Sequence, residues 1–403
     1  MTNNGDGEMT NNKNQKQFDI IVYGATGFTG RLVAEYLSKR YGNGNELSWA
    51  MAGRSQAKLE QVRDVMSLPV DTPLIVADSS DSASMTEMLN RTKAVITTVG
   101  PYQLYGERLV ALCASLGTDY VDLCGESVWM RHMIDQHQGA AQQSGARIVF
   151  SCGFDSIPSD LGIYRLQSLA IEKTGSPCKL VNGRVRGLSG TFSGGTAASI
   201  QASYKAAATD PEIYKLATDH FSLVPDYAGV AQPDGDSIHY SDELKSWVAP
   251  FIMAAINTRN IHRSNALLGF KYGKDFMYDE MMLTGDGEQG EAIAKHVAGD
   301  KSMVGPDAPK PGEGPSKEER EAGFYDIAYI GTTVDGDKMV LSVKGDRDPG
   351  YGSTCKLLSE SAICLIKDAG DTPGGIWTTA PAMGDKLIAR LEKNAGLTFT
   401  LEP

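Results

Sequence analysis

A doubly wound α/β domain with a parallel sheet, followed by a second α+β domain, is the fold this sequence predicts. Three observations carry the expectation. Short apolar, β-branched runs alternate with amphipathic helical stretches from Phe18 to Ser151. A glycine-rich turn sits at the first strand–helix junction. From about residue 180 the beat changes to longer alternating strands and a hairpin. At 403 residues the chain exceeds one ordinary core, and about 100–200 residues per domain implies two or three.

The elements follow in order. Residues 1–17 (MTNNGDGEMTNNKNQKQ) are polar and Asn-rich, with neither a secretory apolar core nor an Arg-rich transit pattern, and read as a disordered leader. Phe18–Tyr23 is the first strand, and Leu32, Val33, Tyr36 and Leu37 mark a helix from Thr29 to about Tyr41. Strands are expected at Leu47–Ala52, Leu74–Ala77, Ala94–Val99, Tyr120–Leu123 and Arg147–Ser151, and helices at Ser55–Met66 and Leu104–Leu116. The strands are almost continuously apolar, as suits a parallel sheet covered on both faces. Beyond them, Lys179–Leu188 reads as a strand, 193–219 as helix and Leu267–Leu283 as extended. Residues 300–320 read as an exposed Pro/Gly-rich loop. Phe324–Thr332 and Met339–Lys344 form a hairpin through Asp335-Gly336. The resulting domains are 18–155, 156–350 and a helical C-terminal segment, 351–403, that could pack on either.

Composition narrows the function. With 41% hydrophobic and 22% charged residues the chain is an ordinary globular one, neither disordered nor collagen-like nor coiled coil. A net charge of −12 argues against nucleic acid as a partner and against non-specific attraction to anionic lipid. The six cysteines show no C-x-x-C and read as buried thiols in a reducing compartment. The most apolar stretch, Trp247–Ile256, is roughly half a bilayer span, so no transmembrane helix is expected.

The turn after the first strand is Gly24-Ala25-Thr26-Gly27-Phe28-Thr29-Gly30. Gly24 permits the tight turn, Gly27 lets backbone approach a pyrophosphate, and Gly30 lets helix and strand pack closely. That is a dinucleotide loop in Rossmann context, with the middle glycine displaced from G-x-G-x-x-G. An NAD site would place an acid at the tip of the second strand, about 20 residues on. Here the tip is Gly53-Arg54-Ser55, a guanidinium and a hydroxyl suited to a 2′-phosphate, so NADP(H) is the expected cofactor. Arg54 would equally suit the surface beside an N-cap serine. Asp78, at the third strand tip, is placed to meet the adenine edge or to cap a helix. Thr98-Val99-Gly100-Pro101 ends the fourth strand beside the cofactor's second half, with Tyr102 pointing into the cleft.

Candidates for chemistry are fewer. Asp155 stands in Ser151-Cys152-Gly153-Phe154-Asp155-Ser156-Ile157-Pro158 at the sixth strand tip, where capping alone would also explain it. Asn257 to Asn265, including Arg259 and Asn260, packs basic and amide groups that suit a carbonyl, carboxylate or phosphate, or a solvated face. Tyr351, in the turn Gly345–Gly352, could project towards the cleft. The six His residues form no metal or triad spacing, so no metal is expected, and a Ser-Tyr-x-x-x-Lys arrangement is missing.

Together, Asp19–Arg31, Ala52–Ser55, Thr98–Tyr102, Gly117–Glu126 and Cys152–Asp160 resemble the saccharopine dehydrogenase-like oxidoreductases. Within that group the chain is most similar to trans-acting enoyl reductases of polyketide-lipid assembly and to eukaryotic lipid-droplet-associated relatives. The resemblance continues through Asn257–Asn260 and Gly345–Tyr351. It implies a Rossmann domain, an α/β substrate domain and NADP(H). The first reading is therefore a cytoplasmic NADPH-dependent reductase of an enoyl or lipid-like substrate, small or carrier-bound, in lipid or glycolipid metabolism. Tyr102, Asp155 and Asn260 would be its polar contributors, and Arg259 would hold an anionic carrier. Two alternatives stand beside it: an amino-acid-type imine dehydrogenase, and a non-catalytic NADP-binding scaffold held peripherally on membranes or lipid droplets by the 247–256 patch.

Overall fold

The computed structural model describes residues 16–44, 46–305, 308–310 and 312–403. All but Lys16 and Gln17 of the expected leader lies outside them, as do Pro306, Asp307 and Pro311 of the 300–320 loop. In chain order the strands are β1 Phe18–Tyr23, β2 Trp49–Gly53, β3 Leu74–Val76, β4 Thr92–Thr97, β5 Asp119–Val121, β6 Arg147–Val149 and β7 Leu180–Ser189. They continue as β8 His239–Ser241, β9 Ser246–Pro250, β10 Met277–Gly285, β11 Phe324–Thr332, β12 Lys338–Gly345, β13 Gly375–Trp377 and β14 Leu397–Leu401.

Two seven-stranded sheets result. The first runs β13-β6-β5-β4-β1-β2-β3 and is parallel throughout. Its order reverses beside β1, the crevice where a doubly wound sheet binds its ligand. The second runs β14-β12-β11-β7-β10-β9-β8 and is antiparallel except where β7 meets β10. The α/β class with a second mixed layer is thus as the sequence predicts. Ile20, Val22, Trp49 and Val121 of the first sheet belong to the same core as Leu161, Leu357 and Leu387 of intervening helices and Val185, Leu341 and Val343 of the second sheet. Burying each such side chain contributes about 1.5–3 kcal/mol, so the two sheets stand on one shared hydrophobic body.

Local differences from the sequence reading have physical reasons. The helix expected over 193–219 is two, Gly194–Thr209 and Pro211–Thr218. Pro211 cannot continue the first, and the Asp210 carboxylate accepts from the Glu212 and Ile213 amides to start the second. Most of 267–283 is turn and the end of the Ala254–Leu267 helix; only Met277 onward is strand. The apolar stretch Trp247–Ile256 is β9, a bend and a helix start. Val248 and Ala249 are fully buried between β8 and β10, and Phe251 is buried too, leaving Ile252 as its exposed large side chain. The stretch is thus part strand and part helix, with most of its apolar side chains turned inward. No helix among the described residues is long and apolar enough to cross a membrane.

The C-terminal segment is not wholly helical. Helices Thr354–Lys367 and Thr379–Asn394 alternate with β13, which extends the first sheet, and β14, which extends the second. Beside β13, the buried Arg147 guanidinium pairs with Asp119 and donates to the Ala369 carbonyl at 2.7 Å, closing that edge.

Candidate functional site

The carboxyl ends of β1, β4, β5 and β6 lie side by side along one edge of the first sheet, and the first of these ends in a turn built from backbone. Gly24 leaves β1 at φ +86°, a conformation that glycine adopts without strain, and a Cβ there would stand 2.7 Å from Val99 Cγ2. A Cβ at Gly30 would stand 2.2 Å from the Gly24 carbonyl oxygen, so glycine alone lets the helix lie this close to the strand. Gly27 is exposed and caps helix Phe28–Tyr41 without a side-chain hydrogen bond, leaving the helix's first amides facing outward. The Thr98 hydroxyl donates to the Gly24 carbonyl at 3.2 Å and fastens the β4 tip to the loop. Ala25 and Phe28 are buried; Thr26 and Thr29 are partly so.

At the β2 tip, Arg54 is exposed and Ser55 accepts from the Lys58 amide as the cap of helix Gln56–Val65. Asp78 accepts from the Ser80 amide and hydroxyl at 2.9 and 2.8 Å, and these bonds hold its carboxyl below the ordinary range. An anion cradle of free helix amides flanked by a guanidinium is what a phosphorylated dinucleotide fits. Val99, Gly100 and Pro101 continue along the cleft. Ser199 of helix Gly194–Thr209 packs beside this segment, its Oγ 3.5 Å from where a Gly100 Cβ would stand.

The four candidate catalytic residues divide. Asp155 lies in the turn after β6, and its carboxyl oxygen comes within 3.0 Å of where a Cβ at Gly125 would stand, at the β5 tip. Burial pushes this carboxyl up to about 7. Asn260 joins it indirectly: its Nδ2 donates to Ser156 Oγ at 2.8 Å, and its Oδ1 is buried without a protein partner. The other two turn away. Tyr102 is buried, its ring 5.5 Å from Trp129, its hydroxyl donating to the Thr97 carbonyl at 3.3 Å rather than projecting into the cleft. Its helix start is capped instead by Glu126, which accepts from the Tyr102 and Gln103 amides, both at 2.8 Å. Arg259 is buried as well and donates to the Ala255 and Ala217 carbonyls, so it holds two helices together. A polar stretch reads as solvent-facing by composition, yet the Ala254–Leu267 helix buries every residue from Ile256 to Asn265.

Tyr351, which by sequence could project towards the cleft, instead packs its ring on the glycine loop and its hydroxyl on Ser193. It sits in a π-helical turn, Pro349–Ser353, with its ring edge-on to Phe28 at 5.0 Å. The next turn's Thr354 accepts from the Phe154 amide at 2.9 Å, binding this segment to the Asp155 loop. Its turn motif was legible; its neighbours, nearly two hundred and more than three hundred residues away in the chain, were not.

Comparison with known proteins shows the family. The family model described as saccharopine dehydrogenase NADP binding domain matches residues 20–149, the span that holds the glycine loop and β1 to β6. A trans-acting enoyl reductase of Mycobacterium ulcerans is 39% identical over 94% of this chain and 96% of its own. One of Mycobacterium tuberculosis is 38% identical with the same coverage. Saccharopine dehydrogenase (L-Glu forming) of Saccharomyces cerevisiae shares the fold at TM-score 0.55 and 11% identity, covering 96% of this chain and all of that one. Homospermidine synthase of Legionella pneumophila shares it at 0.53 and 9%, over 95% and 92%. The chain is an NADP(H)-binding oxidoreductase, and it belongs to the saccharopine dehydrogenase-like family together with the mycobacterial trans-acting enoyl reductases.

Proposed function

We propose that the chain reduces the carbon–carbon double bond of an enoyl thioester or similar lipid-like acyl substrate, free or presented on a carrier, in lipid metabolism. The observation that carries this reading is Asp155, whose carboxyl oxygen stands at the β5 tip, within 3.0 Å of where a Gly125 Cβ would be, and is pushed up to about 7 by burial. When bound, NADPH supplies the hydride, which goes to the β-carbon of the substrate.

The chain's own residues have three tasks. Gly24 to Gly30 and the first amides of their helix hold the pyrophosphate, Arg54 and Ser55 meet the 2′-phosphate, and Asp78 borders the adenosine. Thr98, Val99, Gly100 and Pro101 line the nicotinamide half. Asp155 then gives its proton to the α-carbon, while Ser199 on the facing helix is the hydroxyl donor for the carbonyl oxygen as charge gathers there. Asn260 steadies the Asp155 turn through Ser156. The names of the mycobacterial relatives support the enoyl substrate.

The test is consumption of NADPH by the purified chain given a short enoyl thioester, or glutamate with an aldehyde. Consumption with the thioester, with the saturated thioester as product, is the expected result. Consumption only with the imine-forming mixture would replace this reading by an amino-acid-type dehydrogenase. Tight NADPH binding with neither reaction would leave a scaffold.

A further inference from the structure

The roof of the cleft is held in an unusual way. Helix Gly194–Thr209 has 16 residues but buries only Gly194 and Ala197, and the helix that follows buries none. An arm with so little apolar burial takes its position from a few polar contacts, and such elements open locally at low cost. Among the described residues four partners make such contacts. Gln103 Nε2 donates to Ser203 Oγ at 3.4 Å, Gln201 Nε2 to the Met303 carbonyl at 3.1 Å, and the Gly194 amide to the Glu313 carbonyl at 3.2 Å. The fourth is the Tyr351 hydroxyl, which accepts from the Ser193 amide and lies 3.0 Å from Thr196 Oγ1.

Tyr351 differs from the other three in its own support. It is only 2% exposed. The Asp348 carboxylate accepts from the Tyr351 and Gly352 amides at 3.0 and 2.7 Å, fixing the π-helical turn. Its ring meets Phe28, the residue after Gly27 in the glycine loop. One side chain therefore touches both the cofactor loop and the first turn of the arm, which stands over Gly100 through Ser199. A phenylalanine would fill the same volume, so the hydroxyl serves the arm.

We propose that Tyr351 is a positioning residue. Its hydroxyl seats the start of helix Gly194–Thr209 over the nicotinamide end of the cleft, and its ring links that seating to the cofactor loop through Phe28. NADPH, by ordering the loop, then also orders the wall that receives the substrate. The inference rests on the cofactor placement proposed above and is independent of which substrate is reduced.

Hydrogen exchange on the full chain, with and without NADPH, tests it. In the wild type NADPH should slow exchange both at Gly24–Gly30 and across 194–209, the latter by about tenfold. Tyr351→Phe should bind NADPH with affinity within about twofold of wild type and keep protection at the glycine loop, while protection of 194–209 falls to about twofold or less. Thr196→Val, which touches the arm alone, should give a smaller loss of the same kind and serves if the tyrosine variant does not fold. Full NADPH-dependent protection of 194–209 in both variants would overturn the proposal. So would an exchange change in Tyr351→Phe that is the same with and without NADPH, the mark of a merely structural role. No NADPH protection at the glycine loop in the wild type would instead overturn the cofactor placement, and this inference with it.

Discussion

The two walls of the cleft are built on opposite principles. The glycine-loop wall is made of backbone from one short stretch, and its shape is set by what is missing: a Cβ at Gly24 or at Gly30 would collide with Val99 or with the Gly24 carbonyl. The side we propose to face it is made of side chains from distant segments: Asp155 after β6, Asn260 bonded to the neighbouring Ser156 from a buried helix, Ser199 on an arm beside Gly100, and Tyr351 in a π-helical turn that holds the start of that arm. A wall of the first kind tolerates almost no substitution and announces itself in sequence. A wall of the second kind can lose one group at a time, each with its own signature.

Replacing Gly30 by alanine tests the first principle at its tightest point. A methyl group at 2.2 Å from a carbonyl oxygen forces helix Phe28–Tyr41 away from β1, and the expected cost is about 3 kcal/mol or more in stability, with NADPH binding lost. Thermal unfolding and nicotinamide fluorescence measure both. A variant that binds NADPH normally would show that the loop's closeness is not what forms the site.

On the facing wall, Asp155→Asn should leave NADPH affinity unchanged and lower turnover by about 100-fold. The pH profile sharpens the assignment. Asp155 must be protonated to donate, and burial places its carboxyl at about 7, so the rate should hold at lower pH and fall about tenfold per unit as pH rises above that value. The asparagine variant should lose this limb. A flat profile in the wild type would remove Asp155 from the proton step. Arg54→Glu, back on the first wall but at its exposed rim, is a smaller change. NADPH affinity should fall about tenfold, NADH affinity should stay within about twofold, and stability should not move.

This contrast also explains what was legible beforehand. The glycine loop, the β2 tip and the β11–β12 hairpin are local patterns, and the sequence names them at nearly their true positions. β13 is three residues long and finds its place only by pairing with β6, more than two hundred residues earlier. β9 hides in an apolar run whose second half is helix, so hydrophobicity alone cannot divide it. Arg259 and Asn260 illustrate the same point at the level of side chains. Both sit in one polar run and both are buried, but Asn260 reaches the Asp155 turn while Arg259 reaches two backbone carbonyls on the other side. Spacing places a residue on a helix; only the tertiary fold decides what that face meets.

The smallest expected effect is that of Tyr102→Phe; by sequence Tyr102 should point into the cleft, and by structure it belongs to the core behind the first wall. Its hydroxyl makes two long contacts, donating to the Thr97 carbonyl at 3.3 Å and accepting from the Leu123 amide at 3.4 Å, and burial keeps the phenol from ionising. Its ring, packed on Trp129, does most of the holding. Tyr102→Phe keeps the ring and removes only those contacts, so stability should drop by about 1 kcal/mol or less, with turnover within about twofold of wild type. Tyr102→Ala should cost about 3–5 kcal/mol through the cavity beside Trp129. Measuring both by thermal unfolding and steady-state kinetics separates the roles. A phenylalanine variant as inactive as Asp155→Asn would bring Tyr102 back to the cleft, and with it a rearrangement of the Tyr102–Tyr105 helix that Glu126 now caps.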